Sequence, residues 1–406
     1  MARILLVWEL GMNLGHLARL LPVAERLKAE GHIVQVSTRD CQAAALILGP
    51  ACIAYTALPI ITSVSANAPQ LSGYADLLLI TGWGDPNALS GLLSNWHTYF
   101  NSFRPDVVIL DHAPTAGLAA RLAGLPTLAL GNGFEMPPAT SPLPCFPGIP
   151  GVVPIQATQA EEKVLGSVKQ VAGWLGQASP STLTEILRAE ATCLATFPEL
   201  DHYGPRPDCD YIGPLLGTIS GQSVDWPLAP GPRIFACLRP DTRQLDAVLG
   251  GLLASGASVI CFAPAIPAET LARFASPHLL FCQDLINLAP LVASADACVS
   301  YGAEGTMARF LLAGVPLLLL PSHVEAAMAA ARLEAIGAAL VLRGRQNAPS
   351  VATTLRFLVD HPEFGRHAQN FADRHRSWQP MAAVDRVMAK LAPLIATNTE
   401  LETVAP

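Results

Sequence analysis

Two places in the chain carry residues that could do chemistry. The first is Gly15-His16, where a loop after the first apolar run gives way to helical spacing. An imidazole ordinarily titrates near neutral pH, so a histidine exposed at such a junction can act as a general base. Asp111 directly follows the apolar run 107–110. A carboxylate at the carboxyl end of a strand, close to the first strand's loop, could hydrogen-bond that histidine and hold its tautomer. Taken alone, a histidine near a helix start is more often a cap or a surface residue.

The second place is 301–306, Tyr301-Gly302-Ala303-Glu304-Gly305-Thr306. A short apolar run, 297–300, leads into this glycine turn. The spacing predicts a helix over 307–313, closed by Gly314, and then a buried strand over 315–320, stopped by Pro321. A glycine turn entering a helix leaves backbone N–H groups pointing outward at the positive end of the helix dipole. Such an end suits an anion, and a phosphate-bearing ligand is expected there.

These residues need a scaffold, and the pattern starts the same scaffold twice. Residues 3–7 read as a strand, 11–15 as a loop, 16–30 as a helix closed by Gly31, and 33–37 as the next strand. Strands at 107–110 and 127–130 flank a helix at 116–123. A second series opens at 233–237, with a helix over 243–255 and a strand over 259–262. Alternation of this length implies right-handed βαβ units and a parallel sheet in each half. The expected fold is α/β, two Rossmann-like doubly wound domains whose strand ends would face across a cleft. The expected boundaries are an N-terminal domain 1–205, a linker 206–232, a C-terminal domain 233–395 and a frayed tail 396–406. The linker holds Pro207, Pro214, Pro227, Pro230 and Pro232 and lacks periodicity. A final amphipathic helix is expected over 369–395. Between 54 and 103 the pattern weakens. Residues 59–62 and 65–73 read as loop, 75–80 and 89–100 as apolar helix, forming either a hydrophobic pocket wall or ordinary core.

Composition narrows the function classes. The chain has 406 residues, 51% hydrophobic and 14% charged, enough for two or three well-packed domains. Mean hydropathy is +0.37, but no uninterrupted apolar stretch approaches the roughly 18 residues of a membrane span. The first residues lack a signal-peptide pattern, so a cytoplasmic location is expected. Net charge is −7, with no basic run, which argues against nucleic acid as a partner. Nine scattered cysteines without a CxxC pair read as buried apolar thiols in a reducing compartment. Asp208-Cys209-Asp210 matches a DxD metal pattern by letters only, within the proline-rich stretch.

The run from Gly15 to Pro22, followed by Leu27, Gly31-His32 and Val34, resembles the N-terminal signature of family 1 glycosyltransferases of the bacterial antibiotic and macrolide type. Phe197-Pro198 and Tyr211-Ile212-Gly213-Pro214 resemble the start of their linker. Ser300 to Thr306, Gly314-Val315-Pro316, Pro321, Glu325 and Arg332-Leu333-Glu334 resemble their donor-binding signature in order and spacing. The resemblance implies a GT-B fold and inverting transfer of a sugar from a nucleotide-sugar donor to a hydroxyl of a small-molecule or lipid-like acceptor. It implies neither a metal nor a cofactor. It makes His16 the base and Asp111 its partner, with Asn13, Gly15 and Phe134 on the acceptor side. It puts Tyr301, Gly302, Gly305, Thr306 and Glu325 on the donor side. Apart from the resemblance, Arg239, at the end of the first strand of the second series, is expected to stand in as a cation for the diphosphate, and Arg309 either pairs with a phosphate or is a surface residue of its helix. Against that family's pattern, Tyr301 stands where a histidine is usual, Arg309 where a glutamate is frequent, and Ala326 and Ala329 where polar side chains are usual. These replacements leave a second reading, a non-catalytic homologue that binds a nucleotide-sugar or supports another transferase. A sugar-nucleotide epimerase of similar fold does not account for the Gly-His signature.

Overall fold

The computed structural model describes residues 1–12, 14–60, 71–217 and 221–403, with backbone alone over 397–403. Two compact units emerge. The first comprises Met1–Gly217 together with Pro380–Pro406, and the second Thr218–Gln379.

The first unit is built on a parallel sheet of β1 (Arg3–Trp8), β2 (Ile33–Thr38), β3 (Ala54–Ala57), β4 (Val107–Asp111), β5 (Thr127–Gly131) and β6 (Ala191–Leu194), in the order β3-β2-β1-β4-β5-β6. The inner strands are near-continuous aliphatic runs because helices cover both faces, leaving no polar side. Ile4, Leu5, Leu6 and Val7 are fully buried, as are Val107, Val108 and Ile109. The register sets Trp8 beside Asp111. The carboxyl ends of β1, β4 and β5 are therefore neighbours, although about a hundred residues separate β1 from β4.

The 54–103 stretch resolves as core over its described part. Tyr74–Leu78 passes through a π-turn at Leu79–Trp83 into the helix Pro86–Phe103. Gly82 makes that turn at φ +100°, a conformation that only glycine adopts freely. Asp85 caps the long helix, accepting from the Asn87 amide at 2.8 Å. Trp83, Trp96, Phe100 and Leu89 then bury together in one cluster. Residues 61–62 and 65–70 of the expected loops lie outside the described residues.

The second unit repeats the design with β7 (Arg233–Cys237), β8 (Ser258–Phe262), β9 (Leu279–Cys282), β10 (Ala297–Ser300), β11 (Leu317–Leu319) and β12 (Ala339–Val341), in the order β12-β11-β10-β7-β8-β9. Ile234, Ala236, Val259 and Val299 form its centre with Leu249 and Leu252 of the helix Leu245–Ala254.

Three expectations need correction. The stretch 206–232 is not a free linker. Up to Gly217 it packs in the first unit, where Tyr211 bridges Leu194 and Ile212 and Leu215 are buried. From Gln222 it packs in the second, bridging Ile286 and holding Trp226 Nε1 2.9 Å from Ser294 Oγ. The single helix expected over 369–395 is two, Pro362–Arg374 and Pro380–Thr403. Proline disfavours the helical conformation in the residue before it, so the chain turns before Pro380. The last helix also belongs to the first unit rather than to the C-terminal domain, and it runs through the expected frayed tail to Thr403. Ala383, Val384, Val387 and Leu391 are buried there. Asp210 pairs with both Lys390, at 2.9 Å, and Arg386.

All nine cysteines are free. Five are buried as expected, but Cys41 and Cys52 are exposed. No described helix is long and apolar enough to cross a membrane.

Docking of the last helix is worth testing by truncation of one side chain. Leu391→Ala should cost about 2–5 kcal/mol, the usual range for a buried leucine. Guanidinium unfolding of the full chain reads it. A loss below about 0.5 kcal/mol would show that this helix does not contribute to the first unit's core.

Candidate active site

The adjacent ends of β1, β4 and β5 gather four ionisable side chains in the first unit. His16 enters from the first turn of the helix Gly15–Ala29, and Arg19 lies three residues on, on the same face. Asp111 ends β4. Glu135 sits in the turn after β5, where the Asn132 side chain accepts from the Phe134 and Glu135 amides at 2.9 and 3.2 Å. Asp111 is fully buried, and the other three are at most 7% exposed.

The geometry is tight. His16 Nδ1 lies 2.7 Å from Asp111 Oδ1 and 3.6 Å from Glu135 Oε1. Arg19 Nη1 donates to Asp111 Oδ1 at 3.2 Å and to Glu135 Oε2 at 2.5 Å. The Asn132 amide donates to the same Glu135 oxygen at 2.7 Å. Two carboxylates facing Nδ1 assign its proton there and leave Nε2 with the lone pair. Trp8 stacks on the imidazole, centroids 5.1 Å apart and planes 17° off parallel. Gly11, at φ +86°, closes over the other edge, where a Cβ would lie 2.4 Å from Nε2. The ring is clamped on two sides.

Burial opposes charging of His16. The charge and hydrogen bond of Asp111 outweigh it, with Glu135 adding to them, and the imidazole is held above its ordinary value. Burial lifts Asp111 above the usual carboxylate range, against the pull of Arg19 and His16. Burial works the same way on Glu135, but Arg19 and His16 overcome it and hold its carboxyl down to about 2. Glu135 is thus a firm anion, while His16 and Asp111 contend for one proton. His16, Asp111 and Glu135 each offer a ligand atom within 4.8 Å of the others, the spacing of a metal site. The Arg19 guanidinium already lies between the two carboxylates as a built-in cation.

Around this cluster the buried packing is aromatic. His112 lies 6.0 Å from both Tyr74 and Phe134, and Phe134 stacks with Phe146 at 5.3 Å. His112 adopts φ +45°. Burial drives it down to about 3, so it is neutral. Glu9, just past β1, is fully buried and accepts from the Thr115 and Ala116 amides at 3.0 and 3.1 Å, at the start of the helix Pro114–Leu122. Burial raises its carboxyl to about 7.

His16 and Asp111 are therefore brought together as the sequence predicts, and Phe134 lies beside them. Gly15 is exposed at the helix start, and a Cβ there would meet nothing within 4 Å, so no steric need for glycine exists at that position. Asn13 lies outside the described residues. Glu9, Arg19, His112 and Glu135 join the site without having been singled out by the sequence. A lone acid closing an apolar strand is the only trace Glu9 leaves there, and i, i+3 spacing from His16 is the trace left by Arg19.

In the second unit, the helix Glu304–Leu312 begins three residues earlier than the spacing predicts. The amides of Gly305 and Thr306 thereby fall in its first turn, where no intrahelical partner exists. Ala303 supplies no side-chain cap. Arg239, after β7, places its guanidinium 5.6 Å from the centre of the Tyr301 ring, and its Nε donates to Asp241 at 3.0 Å. Arg309 lies one turn further along the same helix, three and four residues after Thr306 and Gly305, and is partly buried. Glu325 and the buried Ala326 open the helix Val324–Ile336, capped by His323 Nδ1, which accepts from the Ala326 amide at 3.3 Å. Gly302, at φ +112°, lies so close that a Cβ would meet the Ala326 Cβ at 2.6 Å. The missing side chain at 302 is what lets the turn approach this helix.

Gly302→Ala should cost about 1–3 kcal/mol, from strain at a positive φ and from collision with Ala326. Denaturant unfolding followed in the second unit measures it. An unchanged midpoint would show that the turn is free to relax.

No protein-family model matches the chain. It is 26% identical over 296 residues to a PGL/p-HBAD biosynthesis glycosyltransferase of Mycobacterium tuberculosis, covering 67% of each chain. It is 26% identical over 292 residues to a PGL/p-HBAD biosynthesis rhamnosyltransferase of Mycobacterium bovis, covering 66% of this chain and 63% of the relative. Among solved structures, the calicheamicin glycosyltransferase CalG4 superposes with a TM-score of 0.70 at 19% identity over 96% of this chain and 98% of its own. The glycosyltransferase VinC, in complex with DTDP, gives 0.68 at 17% identity over 97% of this chain and 100% of its own. The two parallel six-stranded sheets are those of the GT-B fold, and the chain is a GT-B homologue of glycosyltransferases.

Proposed function

We propose that the chain is an inverting glycosyltransferase that moves a sugar from a nucleotide-sugar donor to a hydroxyl of a small, largely hydrophobic acceptor. The observation that carries this reading is the buried His16–Asp111 pair at 2.7 Å. An acceptor hydroxyl is a weak nucleophile, and a base must take its proton as it attacks the anomeric carbon. His16 has the required form, with Nδ1 held by carboxylates and Nε2 as the base. The oxygen then bonds to the anomeric carbon as the bond to the nucleoside diphosphate breaks. One displacement of this kind inverts the configuration.

The buried aromatic packing of Tyr74, Phe134 and Phe146 near the base is the feature that we read as favouring an apolar acceptor. The first-turn amides of Gly305 and Thr306, together with Arg239, support binding of the departing diphosphate. Charge on the leaving group is then met by backbone and guanidinium, and the scheme calls for no metal. The related VinC was crystallised with DTDP, and the rhamnosyltransferase SpnG with thymidine diphosphate. A deoxythymidine diphosphate sugar is accordingly the first donor to try.

One observation favours a second reading, a homologue that binds a nucleotide-sugar without turning it over. Ala326 closes against Gly302 where that family usually places polar side chains. Calorimetric titration with thymidine and uridine diphosphates, followed by assay of the matching sugar donors, separates the two. Binding without transfer would favour the second reading.

On the transferase reading, His16→Ala should lower turnover about 10²–10⁴-fold, the usual contribution of a general base, with the circular dichroism spectrum unchanged. Unaltered turnover would remove the base assignment. The base works only when deprotonated, and its surroundings raise its pKa above the ordinary 6.5. The rate should therefore rise with pH through a midpoint above that value. A midpoint clearly below 6.5 would contradict the electrostatics.

A further inference from the structure

His16 faces more charge than a base–carboxylate pair supplies. Asp111 Oδ1 accepts both from His16 Nδ1, at 2.7 Å, and from Arg19 Nη1, at 3.2 Å. Its negative charge is shared with a permanent cation. Glu135 also holds Arg19, through Oε2, but turns its other oxygen, Oε1, toward His16 Nδ1 at 3.6 Å. That Oε1 is buried and has no hydrogen-bond partner. Among the described residues, the other groups packed on the imidazole are Trp8, His112 and Gly11, whose carbonyl accepts from the exposed Arg39 at 2.7 Å. Trp8 stacks on the imidazole, and His112, 6.3 Å away, is a neutral ring.

The charge count follows from these contacts. With His16 neutral, one guanidinium faces two carboxylates, and the buried cluster is one negative charge in excess. Uptake of a proton by His16 brings it to neutrality. Without Glu135 the same uptake would take a neutral cluster to a buried net positive charge, which a low-polarity interior disfavours. Without Arg19 the cluster would start at two negative charges and attract the proton more strongly. Without both, Asp111 and His16 alone return the original balance.

We propose that Glu135 and Arg19 are positioning residues that set the proton affinity of His16. Glu135 carries the negative charge that balances the imidazolium, and Arg19 neutralises the charge that Asp111 would otherwise supply. This deepens the proposed role of His16 as the base and rests on that role for its catalytic meaning. The electrostatic claim stands without any substrate.

The test is a nuclear magnetic resonance titration of the full chain with labelled histidine, the His16 signal being the one lost in His16→Ala. Relative to the unaltered protein, Glu135→Gln should lower the His16 midpoint by about one pH unit or more, and Arg19→Met should raise it. The double variant should return it to within about half a unit of the starting value. A purely structural role predicts no such opposition of sign and no restoration. The proposal is overturned if Glu135→Gln leaves the midpoint in place or raises it, or if both single variants move it the same way. It is also overturned if the double variant fails to restore it. Should one single variant not fold, the other and the double still decide by the same signs. In the transfer assay, the acid limb of kcat/KM should move with the titration midpoint in each variant. A titration that behaves as expected beside an absent transfer activity would leave the electrostatics intact and remove the functional reading instead.

Discussion

Everything in the first unit depends on keeping four ionisable side chains out of water in one place. Buried charges are costly unless they neutralise one another and fill each other's hydrogen bonds. Here Arg19 bridges Asp111 and Glu135, and His16 hydrogen-bonds the first of them. Removing any one of the four alters the buried charge balance or strands a polar atom of its partner. The parallel sheet supplies what the cluster needs, because β1, β4 and β5 end side by side and deliver Trp8, Asp111 and the Glu135 turn to the same edge. The aliphatic interior of those strands supplies the rigid base that keeps the distances short.

The second unit solves the opposite problem. It collects no buried charge cluster at the 301–306 turn among the described residues. It offers backbone donors instead, in the first turn of the helix Glu304–Leu312, with Arg239 lying over Tyr301 nearby. Gly302 comes so close to Ala326 that a side chain at 302 would collide with it. A larger residue there would push the turn away from its neighbouring helix. Backbone geometry holds the turn, and Tyr301, Arg309, Ala326 and Ala329 around it are the side chains that depart from the glycosyltransferase pattern the sequence resembles.

How much of this is legible in the sequence depends on how local each feature is. The βαβ alternation, a helix entered at about His16, and a strand over 107–110 with Asp111 directly after it are written in nearby residues, and the structure bears them out to within a residue at those ends. His16 and Asp111 can be paired only because a doubly wound sheet puts their strand and helix ends together. Arg19 is hidden because an arginine on an amphipathic helix usually faces water. Glu135 is hidden because nothing local says that β5 lies beside β4. The last helix is misplaced by sequence reasoning for the same reason. Its partner Asp210 is about 180 residues earlier, and no periodicity within 380–403 reports that contact. The early start of the Glu304 helix escapes the pattern because Gly305 reads as a helix breaker, whereas at the N-terminus it is tolerated.

The central claim is a single displacement driven by a base inside this charge cluster, and the stereochemistry of the product tests it most directly. Proton nuclear magnetic resonance of the glycoside formed from a deoxythymidine diphosphate sugar of known α configuration reads the anomeric coupling of the product. The account predicts a β-linked product. An α-linked product would contradict it, because retention cannot arise from one attack by a hydroxyl that His16 has deprotonated.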